Sequence, residues 1–171
     1  MNQFRRISVA LGVITLMVFM LVYFGICGTK KKPQDEKYYH ELGLKLYKEG
    51  FYDLLPKGNV EQANEKFEQA VTAFQAAISI NDNYIESHQY LARVFAVQKK
   101  YSAAVNEHFR VTELDPDNIN NYLFLASIYV RMKRYDDAEK VLKHAKTLSK
   151  EPAVIEQVNV LIKKIRESPP R

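Results

Sequence analysis

The side chains best suited to acid–base, metal or nucleophilic chemistry in this 171-residue chain are four histidines and one cysteine: His40, His88, His108, His144 and Cys27. A helix-borne zinc site needs two histidines a turn apart, and a hydrolytic site needs a nucleophile beside its base. Here no H-E-x-x-H occurs and no two histidines stand at ligand spacing. Phosphate-cradling and nucleophile-elbow patterns (G-x-G-x-x-G, G-x-x-x-x-G-K-[ST], G-x-S-x-G) are missing as well. The chain therefore reads as a non-enzyme: no catalytic residues, no metal ligands, no cofactor and no small-molecule substrate.

Charge narrows the classes further. Residues 1–32 hold Arg5, Arg6, Lys30, Lys31 and Lys32 and no acid, so all five excess positive charges lie there. The remainder carries 20 basic and 20 acidic residues, which gives no argument for nucleic-acid binding. Within it, residues 35–84 hold 9 acids against 5 bases, and residues 119–171 hold 6 against 11. Such a dipole could orient a partner, although an ordinary solvated surface can show the same asymmetry.

The elements that carry these residues begin with Ile7 to Ile26, 20 residues without a charge. As a helix rising about 1.5 Å per residue they span roughly the 30 Å hydrocarbon core of a bilayer. The run is longer than the apolar part of a cleavable signal peptide, and Phe24-Gly25-Ile26 lacks a small residue at the cut. This predicts a transmembrane anchor over 7–27. The alternative is a lipoprotein signal with Cys27 lipidated, against which the large Ile26 speaks. The short arginine-bearing N-terminus favours a cytosolic start, placing the rest outside a bacterial inner membrane, in the periplasm. An organelle outer-membrane receptor with a cytosolic domain is the rival orientation.

Beyond the anchor the sequence repeats. Residues 85–118 laid on 119–152 match at Ile85/Ile119, Leu91/Leu125, Ala92/Ala126, Lys99/Lys133, Tyr101/Tyr135, Ala104/Ala138 and Leu114/Leu148, without a gap. Apolar spacing within each period is helical, as in Tyr90, Leu91, Val94 and Phe95. Asp115-Pro116-Asp117-Asn118 stops one unit and caps the next. Each period is thus expected to be a helix-turn-helix whose two helices approach at the recurring alanines.

In spacing and residue type these units resemble the tetratricopeptide repeat (TPR) family. The carrying residues are Leu91, Ala92, Phe95, Tyr101, Ala104, Leu114 and Pro116, then Leu125, Ala126, Tyr129, Tyr135, Ala138, Ala145 and Leu148. Lys150 stands where the second proline belongs. An earlier unit fits through Leu42, Gly43 and Leu46 and through Phe67, Ala70, Phe74, Ala77 and Ile80, with its halves 15 residues too far apart. The extra length, near 50–65, is expected to be a loop or an extended helix. Val154, Ile155, Val158, Leu161, Ile162 and Ile165 form an amphipathic stripe suited to covering the last apolar face.

The expected architecture is all-α: an N-terminal tail (1–6), the anchor (7–27), a basic linker (28–34), an irregular first unit (35–84), units at 85–118 and 119–152, a capping helix (153–166) and a disordered tail (167–171). The resemblance implies a right-handed superhelix whose groove is lined by first helices, at Lys37, His40, Leu44, Tyr47 and Lys48, then Glu86, Gln89, Arg93 and Val97, then Asn120, Leu123, Ser127, Val130 and Arg131. The same frame puts His88 and His108 at packing positions. It implies a scaffold or assembly factor for a membrane complex that holds a peptide or helix of a protein partner. The Lys/Asn clamp of chaperone-tail receptors is not assembled, since His40, Leu44, Gln89, Arg93, Leu123 and Ser127 occupy the corresponding places. Phe51, Tyr52, Leu54 and Leu55, in the extra segment, either touch the lipid interface or a membrane partner, or fold back onto the stack.

Overall fold

In the computed structural model of the protein, residues 34–167 are described; the anchor, Cys27, nearly all of the basic linker and most of the tail lie outside them. Asp35 starts the first helix by accepting a hydrogen bond from the Tyr38 amide at 2.8 Å. That helix, α1 (Glu36–Lys48), has Glu36 in its first turn and Lys45 and Lys48 in its last, each complementing the helix dipole. Six more follow among the described residues: α2 (Val60–Ile80), α3 (Ile85–Val97), α4 (Tyr101–Leu114), α5 (Ile119–Arg131), α6 (Tyr135–Thr147) and α7 (Pro152–Arg166). Neighbours pair antiparallel as α1/α2, α3/α4 and α5/α6, and α7 lies against α6. No described helix is long and apolar enough to cross a membrane.

Bulk, or its absence, sets the pairing. A Cβ on Gly43 would come within 2.7 to 2.9 Å of the Phe74 ring, and one on Gly50 within 2.8 Å of Phe67. Only hydrogen fits there, so α1 at Gly43 and the π-helical turns that follow it at Gly50 lie directly on two fully buried phenylalanines of α2. In later units alanine suffices: Ala92, Ala104, Ala126 and Ala138 are all buried. Two apolar clusters result, one around Phe67, Phe74, Leu91 and Val94, the other around Leu142, Val158 and Ile162.

The turn inside the second and third units repeats in detail. Lys99 and Lys133, 34 residues apart, both adopt φ 61°. After α3 the amide of Lys99 donates to the Ala96 carbonyl and that of Lys100 to Phe95; after α5 Lys133 donates to Val130 and Arg134 to Tyr129. These paired bonds satisfy helix-end carbonyls through one left-handed residue, a place where glycine is usual. The Arg134 guanidinium lies 4.8 Å over the Tyr129 ring, closing the second turn.

The extra length of the first unit forms no free loop. The chain continues from α1 as π-helical turns (Glu49–Leu54), a 3-10 turn (Leu55–Lys57) and a left-handed Gly58 at φ 77°, and α2 then begins early and runs 21 residues. Phe51, Leu54 and Leu55 pack against the first apolar cluster, and Phe51 stacks on Tyr47 at 5.5 Å. These three are half-buried and fold back onto the stack, the second of the two expected arrangements; Tyr52, 64% exposed, is the member left on the surface.

Two outcomes follow for stability, both read from urea unfolding followed by circular dichroism. Gly43→Ala, which drives a methyl into the Phe74 ring, lowers stability by about 1–3 kcal/mol. Lys99→Gly and Lys133→Gly, which relieve a left-handed residue, each raise it by about 0.5–1 kcal/mol.

Candidate functional site

The expected groove residues separate into two groups. His40 and Tyr47 are both buried, each 8% exposed; His40 lines neither hollow described below and packs instead, whereas Tyr47 packs and also forms part of one wall. The His40 ring lies among Phe74, Tyr84 and Tyr90, with Nδ1 3.1 Å from the Ser87 hydroxyl. Gln89 donates at 3.2 Å to the buried Asn121, the counterpart of Ser87 one period later. His40–Ser87 and Gln89–Asn121 are thus one polar rung, repeated between successive first helices; at the next step the residues are Leu123 and Ile155, both apolar. Lys37, Lys48, Glu86 and Asn120 are exposed and line neither hollow described below, while Leu44 is half-buried against the first cluster.

The remaining residues come together. A hollow of about 180 Å³ is walled by Tyr47, Phe51, Arg93, Ala96, Val97, Phe124, Ser127, Ile128 and Arg131, drawn from α1, the π-helical turns, α3 and α5. A larger one of about 410 Å³ lies between α5, α6 and α7, walled mainly by Leu123, Val130, Leu142, Leu161 and Ile165. Ser127 and Arg131 border both. The Arg93 guanidinium sits 5.4 Å from each of the Tyr90 and Phe124 rings, which steadies it by cation–π attraction. Neither Arg93 nor Arg131 has an ion-pair partner among the described residues.

Four wall residues of the smaller hollow, Phe51, Ala96, Phe124 and Ile128, lie outside the expected groove positions, and the two aromatic ones matter most. Phe51 belongs to the extra segment, outside any repeat frame, and reaches the groove by stacking on Tyr47. Phe124 follows the expected Leu123, and its ring closes the floor at 4.5 Å from His108.

Three of the four histidines are engaged in packing and hydrogen bonds. His88, 4% exposed, lies 2.8 Å from a Glu107 carboxylate oxygen through Nδ1, a contact that could orient a catalytic imidazole. Its Nε2 lies 3.0 Å from the Asp82 carbonyl, so no ring nitrogen remains for a substrate. The Glu107 contact raises its pKa against the opposing effect of burial. His108 donates from Nε2 to the Asn121 carbonyl at 2.8 Å, which leaves Nδ1 unprotonated, buried and without a partner. Burial lowers its pKa to about 4, and burial lowers that of His40 as well. His144 is exposed, edge-on to Tyr122 at 4.8 Å. Among the described residues no cluster of His, Cys, Asp or Glu could hold a metal ion.

These shifts fix an acid limb. His108 is neutral when folded and charges readily when unfolded, so its contribution is intact above pH 6.5 and is lost as pH falls toward 4. The loss amounts to about 3 kcal/mol. His88 acts oppositely: its contribution is full below 6.5 and fades as pH rises through its raised value. Urea midpoints measured from pH 7 to 4 should therefore fall steeply, and His108→Gln, which retains a donor for Asn121 but cannot charge, should flatten that limb.

With the geometry in view, the relationships of the chain can be stated. The TPR domain of yeast Sti1 called TPR2B, solved in a complex with pHsp70, is 18% identical, with a TM-score of 0.55 over 75% of this chain and 99% of that one. The Yersinia enterocolitica type III secretion translocator chaperone SycD, in an alternative dimer, is 16% identical, with a TM-score of 0.61 over 81% of this chain and 96% of that one. SycD in complex with a peptide of the translocator YopD is 18% identical, at 0.53 over 72% and 91%. At these identities the likeness is one of fold, and no curated protein sequence matches the chain. A family pattern does, over residues 2–170, taking in the N-terminal apolar stretch together with the repeats. The chain belongs to the Iml2/Tetratricopeptide repeat protein 39 family.

Proposed function

We propose that this protein is a membrane-anchored interaction scaffold: its TPR stack holds a segment of a partner protein in the first-helix groove and keeps that partner at the membrane surface. The observation that carries the reading is the pair of adjoining hollows walled by aromatic and aliphatic side chains, bordered by two arginines that have no ion-pair partner among the described residues. Concave apolar walls with a few directed polar groups are what a binding site requires, and burying both hollows under a partner is favourable in proportion to the apolar area covered.

Support for partner binding comes from solved structures of the same fold, one described as holding a translocator peptide and another as a complex with pHsp70. Support for the anchor is the uncharged run from Ile7 to Ile26. With that anchor, the two N-terminal arginines favour placing the stack on the extracytoplasmic side of a bacterial inner membrane. Lipidation at Cys27 is the alternative attachment, and a cytosolic stack on an organelle surface the alternative orientation.

A photo-crosslinking residue at Ser127, exposed and shared by both hollows, tests the reading in intact membranes. The expected result is a discrete adduct that the same probe at Asn106, exposed on α4, does not give, with the chain remaining in the carbonate-washed membrane pellet. Equal labelling from both sites overturns the groove assignment; release by carbonate overturns the anchor.

A further inference from the structure

The walls of the two hollows contain three charged residues, Arg93, Arg131 and Lys164, and all are cationic; no carboxylate lines either. Arginine donates and cannot accept, so Arg93 and Arg131 offer only N–H groups. The Ser127 hydroxyl already donates back to the Phe124 carbonyl at 2.6 Å, and the remaining wall of each hollow is almost wholly apolar. Arg131 borders both hollows and Arg93 the smaller. A ligand filling both therefore carries two apolar groups with a negative one between them.

Building on the scaffold reading, we propose that the partner segment held here is an extended stretch with an acidic side chain at its centre and an apolar side chain two residues away on either side, the acid pairing with Arg131 and Arg93 and the apolar groups entering the two hollows. In an extended chain alternate side chains share a face, so positions i, i+2 and i+4 present this pattern together. The cavity sizes rank the two apolar positions: about 180 Å³ holds one aliphatic side chain, and about 410 Å³ accommodates an aromatic or methionine. The chain's own N-terminal apolar stretch is a poor occupant, since residues 1–33 contain no Asp or Glu to meet the arginines.

The test uses the full-length chain in detergent micelles, immobilised as bait for a random nonapeptide display library, with Arg131→Met as a second bait and empty micelles subtracted. Arg131 is exposed, so the substitution should leave the melting temperature unchanged. Sequences enriched on the unaltered chain should carry Asp or Glu flanked two residues away by Leu, Ile, Met or Phe, whereas on Arg131→Met the acidic preference should vanish and the apolar one persist. A synthetic peptide of the enriched sequence should bind roughly ten- to a hundredfold more weakly to Arg131→Met. Replacing its acid by the amide should weaken binding to the unaltered chain by a similar factor and bring no further loss on Arg131→Met. Enrichment without an acid, an acidic preference that survives the substitution, or no enrichment overturns the proposal. Concentration-dependent self-association abolished by Arg131→Met also overturns it, by giving the groove to a second copy. Failure here with a specific Ser127 adduct in membranes leaves the scaffold standing and removes only the ligand class; failure of both removes both.

Discussion

Two helix backbones lie side by side only where neither carries bulk between them, and the stack depends on that constraint. Gly43 and Gly50 leave room for the rings of Phe74 and Phe67, and the buried alanines of the later units do the same on a smaller scale. Close approach lets the apolar stripes meet at interior density, where many weak dispersion contacts accumulate. It also sets the spacing of successive first helices, and hence the hollows between them. In a stack of this kind each unit touches only its neighbours, so an error at one seam is not corrected from a distance.

Much of the fold was legible because repetition makes a pattern that noise does not. The Ala92/Ala126 and Ala104/Ala138 pairs announced the helix contacts, and Lys99/Lys133 marked a turn whose left-handed residue a lysine gives no hint of. The first unit was harder to read. Its extra residues lengthen the helices at both ends of a connection, and π-helical turns have no period that a search for regular helix or strand would register. The run Phe51 to Leu55 looked like exposed apolar surface because sequence shows composition and not what covers it.

The groove was legible at coarser grain. Positions counted from the family frame include Arg93, Ser127 and Arg131, which line the hollows, but the frame reports which way a side chain leaves a helix and not how deep its surroundings lie. His40 leaves α1 toward the groove and is roofed by Tyr84 and Tyr90, while Tyr47, packed on Phe51 and Tyr90, still walls the smaller hollow. The polar rungs were invisible for a related reason: Ser87 and Asn121 share a register and a task without sharing a residue type. Their hydrogen bonds settle which first helix sits beside which, and at what height, something interchangeable apolar contacts specify less sharply.

The second rung lies where the two apolar clusters do not meet. Between the cluster on α1 to α3 and the one on α5 to α7, the contacts include the buried His108 and Asn121, the half-buried Gln89 and Asp115, and the buried apolar Val111, Leu125 and Ile128. Hydrogen bonds yield over a shorter displacement than an oily interface does. At this joint the register of the two halves therefore rests on directed polar contacts as well as on apolar packing, so their relative setting is specified more narrowly than sliding apolar faces alone would allow.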